Sequence, residues 1–279
     1  MTTQKSITSG QIKQLERITE DAVEPIIKQL NLDSAGAQRI IERGDEIKRI
    51  LAPCLMKLAT DNTTAKPIAE QVAVLREFLG FNIKTFDENA ADRPLPEGAD
   101  GWFAIPRWEK IASTYNDAVN LVMRAVDEAY AEDLETHLDE VRSFKDYGFV
   151  EEEGKLTALR GIMQQQNDHD ILVVPAQLVS RYNEFSHSRA RNLIAMNEAE
   201  FGLGAFEVCC IFLANKDYIL SSVREEVLHL NCPGDTFQYR DEKVLGSAYL
   251  GFDCQRLDLS GNSPSTLCNS TFATGFLPE

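Results

Sequence analysis

Over the first half of the chain apolar residues recur every three or four positions, and over the second half they gather into short runs. A T-x-x-Q capping box at Thr8 and Gln11 precedes Ile12, Leu15, Ile18, Val23, Ile26 and Leu30, one face of a helix that Pro25 should kink. A second helix is predicted from Asp33 or Ser34, with Ile40, Ile47, Leu51 and Leu55 on its apolar side and a bend at Pro53. A third begins by Pro67, uses Ile68, Val72, Leu75, Phe78 and Leu79, and stops at Gly80. The stretch from Thr85 to Gly101, TFDENAADRPLPEGADG, has no apolar period and reads as a long surface loop or an internal linker. Pro106 suits the first turn of a long helix carrying Trp108, Ile111, Tyr115, Val119, Val122 and Val126, and onward to Val141, with a break around Ala131 as the alternative.

After Tyr147 the pattern changes. DILVVPAQL, EVLHLNCPGD, SAYLGFDCQRLDLSG and STFATGFL are β-branched or aromatic runs separated by Gly, Pro, Asn and Asp, the pattern of strands in a sheet. Between them, Gly202 to Asn215 is apolar on nearly every side, which predicts a helix buried against that sheet, with a buried strand as the alternative that the pattern allows. The expectation is therefore an α+β protein: a helical region over residues 1–145, then an α+β region over 146–279 with a mainly antiparallel sheet and one buried helix.

Composition narrows the function classes. The 279 residues carry 44 acidic and 28 basic side chains, a formal net charge of −16, so the global field repels nucleic acid and anionic membranes. No run approaches the roughly 18 apolar residues of a membrane span, and the N-terminus lacks the apolar core of a secretory signal. Six cysteines without C-x-x-C spacing read as reduced thiols. These features point to the cytoplasm.

Against that acidic background, Phe185 to Asn192 reads FSHSRARN. Arg181, His187, Arg189 and Arg191 are the candidate ligand-binding residues, for a small anion or an acidic segment of a protein partner, with nucleic acid disfavoured by the net charge. Residues two apart on a helix point in different directions, so these groups converge only in a loop or at a helix start. The competing class is a metal-assisted hydrolase or transferase using Asp168, His169 and Asp170 at a strand mouth, with His187 as a further ligand or acid/base. Other constellations carry less. His229 and Cys232 have zinc-like spacing but fall on opposite faces of an ideal strand, and FGLGAF lacks the third glycine and the lysine of phosphate loops. Asp133, His137 and Glu140 lie in an acidic run that reads as a solvated helix face. No pattern names a cofactor or a catalytic residue. The sequence favours a cytosolic binding or regulatory protein.

Overall fold

The computed structural model describes residues 10, 13–14, 17, 33–43, 64–80, 83, 85–131, 147–178, 182, 185–222, 228–239, 245–253, 256–262 and 270–278. The chain forms two compact units, Met1–Met56 and Lys57–Glu279. In the first, helix α1 spans Ser34–Glu42, and the Asp33 side chain accepts a hydrogen bond from the Gly36 amide at 2.6 Å, capping it where the pattern predicts. Of the first predicted helix only Gly10, Lys13, Gln14 and Arg17 are described, all helical.

The second unit opens with α2, Ile68–Leu79, which follows Pro67 and ends at Gly80 with φ of +94°, a conformation that favours glycine. Both limits agree with the sequence. The next element differs. Gly101–Pro106 forms strand β1, between the predicted loop and the predicted long helix, and takes into its end Pro106, the predicted first turn of that helix. Phe103, Ala104 and Ile105 are all buried, so the strand shows no alternation, and Pro106 pairs with Ile171 at its end rather than opening a helix. Trp108–Lys110 is a 3-10 turn, and helix α3 spans Tyr115–Tyr130. Its start is set by Thr114, whose hydroxyl oxygen accepts from the Asp117 amide at 3.1 Å. The helix stops at the predicted break, Ala131. Residues 132–146, including Asp133, His137 and Glu140, lie outside the described residues.

Two sheets follow. The first has the order β1-β3-β9-β4, with β3 at Ile171–Gln177, β4 at Glu200–Gly202 and β9 at Thr274–Phe276, all antiparallel. The second joins β2 (Tyr147–Glu151), β5 (Leu228–Tyr239), β6 (Leu245–Asp253) and β7 (Arg256–Asn262) in antiparallel order, and β8 (Ser270–Phe272) runs parallel to β5. Ala273 alone separates β8 from β9, so the chain crosses between sheets there, and its amide donates to the Asn231 carbonyl at 2.9 Å. Helices α4 (Glu153–Gln165), α5 (His187–Ala195), α6 (Ala205–Ala214) and α7 (Lys216–Ser222) complete the unit. Every residue of α6 is buried, as its unbroken apolar sequence predicts. The fold is α+β with mainly antiparallel sheets. The β1–β3 ladder and the packing of α3 on α6 both span residue 146, where the composition changes.

Strand edges within this unit are closed by side-chain amides that imitate a neighbouring strand. Gln71 of α2 donates to the Trp102 carbonyl and accepts from the Ala104 amide, each at 2.9 Å. Gln166 serves Val173 in the same way at 2.7 and 2.9 Å, on the stretch of β3 that β9 does not reach. Asn116 of α3 accepts from the Phe149 amide of β2 at 2.8 Å. Phe149 opposes Phe237 with ring centroids 5.5 Å apart, so its backbone points away from β5 and needs this partner.

Candidate functional site

The basic patch lies on α5. Ser186 caps the helix, its hydroxyl oxygen accepting from the Arg189 amide at 3.4 Å. Helical periodicity then sorts the side chains. His187, Ala190 and Ile194 are buried, with Arg191 beside them, while Arg189, Leu193 and Met196 stand outside at steps of four and three residues. The His187 ring packs edge-on against Phe272 at 5.4 Å, and burial, reinforced by Arg191, lowers its pKa to about 4, so it is neutral near pH 7. Arg191 donates from Nη2 to the Asp235 carbonyl and holds Glu152 Oε1 at 3.4 Å from Nη1, with 24% of its side chain exposed. Arg189 is exposed, its guanidinium 4.6 Å from the centroid of Phe185. Arg181 lies outside the described residues. Thus His187 and Arg191 face inward and Arg189 faces solvent.

The Asp168, His169, Asp170 triplet serves a turn and a strand end. Asn167 and Asp168 have φ of 55° and 56°, the left-handed region that these two residue types tolerate. Asp170 pairs with Lys110 at 2.9 Å and accepts from the Thr85 amide at 3.2 Å. His187 is at the other end of β3, because its ring packs on Phe272, whose carbonyl accepts from the Gln177 side chain at 2.7 Å. From Ile171 to Gln177 a strand rises roughly 20 Å, so the triplet and His187 do not meet. Among the described residues no group of three His, Cys, Asp or Glu side chains could hold a metal ion.

A different constellation converges, one that the sequence marks only faintly. Strand β5 bulges between Cys232 and Thr236, and the bulge swings Asp235 inward. Gly234 at its tip lies against the loop before α6, where its amide donates to the Leu203 carbonyl at 2.9 Å. A Cβ on Gly202 would stand 2.7 Å from the Gly234 nitrogen, and one on Gly204 would stand 2.5 Å from Asp235 Oδ1, so the crossing admits only glycine. Asp235 Oδ2 accepts from the Ala205 amide at 2.7 Å and from the Tyr115 hydroxyl at 2.6 Å. Glu207 Oε2 accepts from the Gly204 amide at 2.9 Å, and the Tyr115 oxygen from the Phe206 amide at 3.3 Å. Three unpaired amides at the start of a wholly buried helix are thereby satisfied.

Lys155 of α4 enters the centre of this cluster with its side chain fully buried, donating to Asp235 at 2.8 Å, Tyr115 at 3.0 Å and Glu207 at 3.2 Å. Its ammonium also lies 3.1 Å from Glu151 Oε1. Burial alone would lower its pKa, but Asp235, Glu207 and Glu151 outweigh burial and hold it above the ordinary lysine range. Burial raises Tyr115 well above its usual pKa, with Asp235 and Glu207 adding to the effect. Burial also raises Glu207 and Glu151, against the pull of Lys155. Lys155, Asp235 and Glu207 are shut away from solvent and Glu151 alone reaches the surface, so the arrangement is an internal charge network.

Cys209, Cys210 and Cys232 are buried free thiols, and burial raises all three well above the usual thiol pKa, which suppresses the nucleophilic thiolate. No described helix is long and apolar enough to cross a membrane. The chain matches no known family, no curated protein and no solved structure.

Proposed function

We propose that the chain is a binding protein that receives an acidic segment of a protein partner on the outer face of α5. One observation carries this reading: the helix anchors itself through His187, Arg191 and Ile194 and leaves Arg189, Leu193 and Met196 in a single exposed stripe, Leu193 at 36% and Met196 at 81% exposure. Stacking on Phe185 orients the guanidinium, so that its N–H edge can grip a carboxylate while an apolar side chain of the partner covers Leu193 and Met196. His187 and Arg191 act in this reading as the seat of the helix rather than as contacts. The free thiols suit a cytoplasmic setting.

The test is fluorescence polarisation with a labelled peptide bearing Glu and Leu at helical i, i+4 spacing. Arg189→Glu and Leu193→Ala should each weaken binding about tenfold or more while leaving the melting temperature unchanged. Citrate and duplex DNA serve as the other arms. Equal affinity of Arg189→Glu and wild type, or saturable binding of DNA in place of the peptide, would overturn the reading.

A further inference from the structure

The Lys155 network contains more carboxylates than its cation can serve. An ammonium group has three N–H bonds. Four acceptors crowd the Lys155 nitrogen, Asp235 at 2.8 Å, Tyr115 at 3.0 Å, Glu151 Oε1 at 3.1 Å and Glu207 at 3.2 Å, one more than its N–H bonds, and the buried Glu151 Oε1 is the one that has no other donor. The groups around Glu151 come from every element packed on the cluster: Lys155 on α4, Tyr115 on α3, Glu207 on α6 and Asp235 on β5. Glu109 of the turn before α3 adds a further negative charge to its field. Arg191 of α5 spends its charge on Glu152 and on the Asp235 carbonyl, with neutral His187 behind it. With Glu151 ionised, one ammonium faces three carboxylates, two of them out of water and the third nearly so. With Glu151 protonated, it faces two, Asp235 and Glu207, both of which also accept amide hydrogen bonds from the start of α6.

Glu151 also occupies a mechanical joint. It ends β2, and the Glu152 amide that follows donates to the Gly234 carbonyl at 2.9 Å, fastening the corner to the tip of the β5 bulge. The Glu151 side chain is 13% exposed, so it can exchange a proton with solvent without unfolding of the network. We propose that Glu151 is the trigger of a pH-sensitive latch at the β2–α4 corner, closed while the carboxyl is neutral and loosened when it ionises. The inference does not depend on what α5 binds.

The sign follows from the direction in which burial moves this group. A carboxyl raised above its ordinary value of 4.5 contributes stability that is fully present below that value and lost as pH rises through its folded-state pKa. Self-repulsion of the −16 chain also lowers stability in alkali, so the control must remove the same charge elsewhere. Glu153, two residues on and 83% exposed, provides it. Thermal melts of the full chain between about pH 5 and about pH 9 should show wild type and Glu153→Gln falling in parallel. Glu151→Gln should fall less steeply and melt higher at the alkaline end, by about 2–4 °C. Trp108, whose ring lies edge-on to Tyr115 at 6.0 Å, gives a local readout in a Trp102→Phe background: its emission should titrate, and cease to titrate when Glu151→Gln is added. Parallel melting of Glu151→Gln and wild type, lower melting of Glu151→Gln at every pH, or a Trp108 titration that survives the substitution would each overturn the proposal.

Discussion

Take away the Lys155 ammonium and Asp235 and Glu207 face each other, fully buried, with Tyr115 as their remaining side-chain donor. Two ionised carboxylates cannot share such a site, so at least one must take a proton or drag water in. Lys155→Met keeps most of the apolar stem, ends one heavy atom short of the ammonium, and removes the charge together with its three N–H donors. It should therefore cost about 3–5 kcal/mol, the penalty for breaking a buried pair by deleting one partner. Urea unfolding at neutral pH would measure it, and a loss under about 1 kcal/mol would mean that the carboxylates, not the lysine, set the network's energy. The backbone amides of Gly204 and Ala205 donate into the same carboxylates, so the positive end of α6 shares the work of neutralisation. Lysine fits here because its point charge can address acceptors on three different elements at once, which a planar guanidinium would do less well.

At the scale of elements, the amide caps tie helices to sheets. Gln166 lies at the end of α4 and fills both hydrogen-bonding positions of Val173, a fully buried residue. Gln166→Leu should leave that amide and carbonyl unpaired out of water at a cost of about 1–3 kcal/mol, read from chemical denaturation, and a neutral result would require another donor to replace the glutamine. Such caps join residues close in the chain here but distant ones at Gln71 and Ala104, and no periodicity announces them. The elements themselves were legible to different degrees. Pro67 and Gly80 bracket α2, and the apolar run from Gly202 marks α6, because in both the local signal agrees with the tertiary setting. GWFAIP was hidden: its burial on both faces removes the alternation that marks a strand, and Pro106 fits a helix start as readily as a strand end. The charge network was hidden more deeply. Its members sit at positions 115, 151, 155, 207 and 235, and the only local hints are Glu207 inside an otherwise apolar helix and Asp235 after Pro-Gly inside a strand.

The composition of the whole molecule changes near residue 146, yet the long-range pairings of the second unit disregard that point. Strand β3 depends on β1 along Ile171 to Ala176, and β9 reaches only Ala176 and Gln177. Helix α6 buries its side chains partly against α3, and Tyr115 and Tyr130 of α3 bond to Asp235 and to the Phe212 carbonyl at 2.6 and 3.0 Å. A chain beginning at residue 146 would keep α6 and both sheets' later strands but lose the cover of that helix, one edge of β3 and the phenol of the charge network. Exposed apolar surface on that scale is not compatible with a cooperative fold. By contrast, a chain beginning at Lys57 retains every partner named here, since all lie in the second compact unit. Residues 57–279 expressed alone should unfold in one sigmoidal transition by circular dichroism, with thiol titration showing Cys209, Cys210 and Cys232 protected in the native state. Residues 146–279 alone should melt without a cooperative transition and leave those thiols reactive. A sharp transition in the shorter chain would show instead that the compositional change at residue 146 is a true domain boundary, and that β1 and α3 are attachments to a core that stands without them.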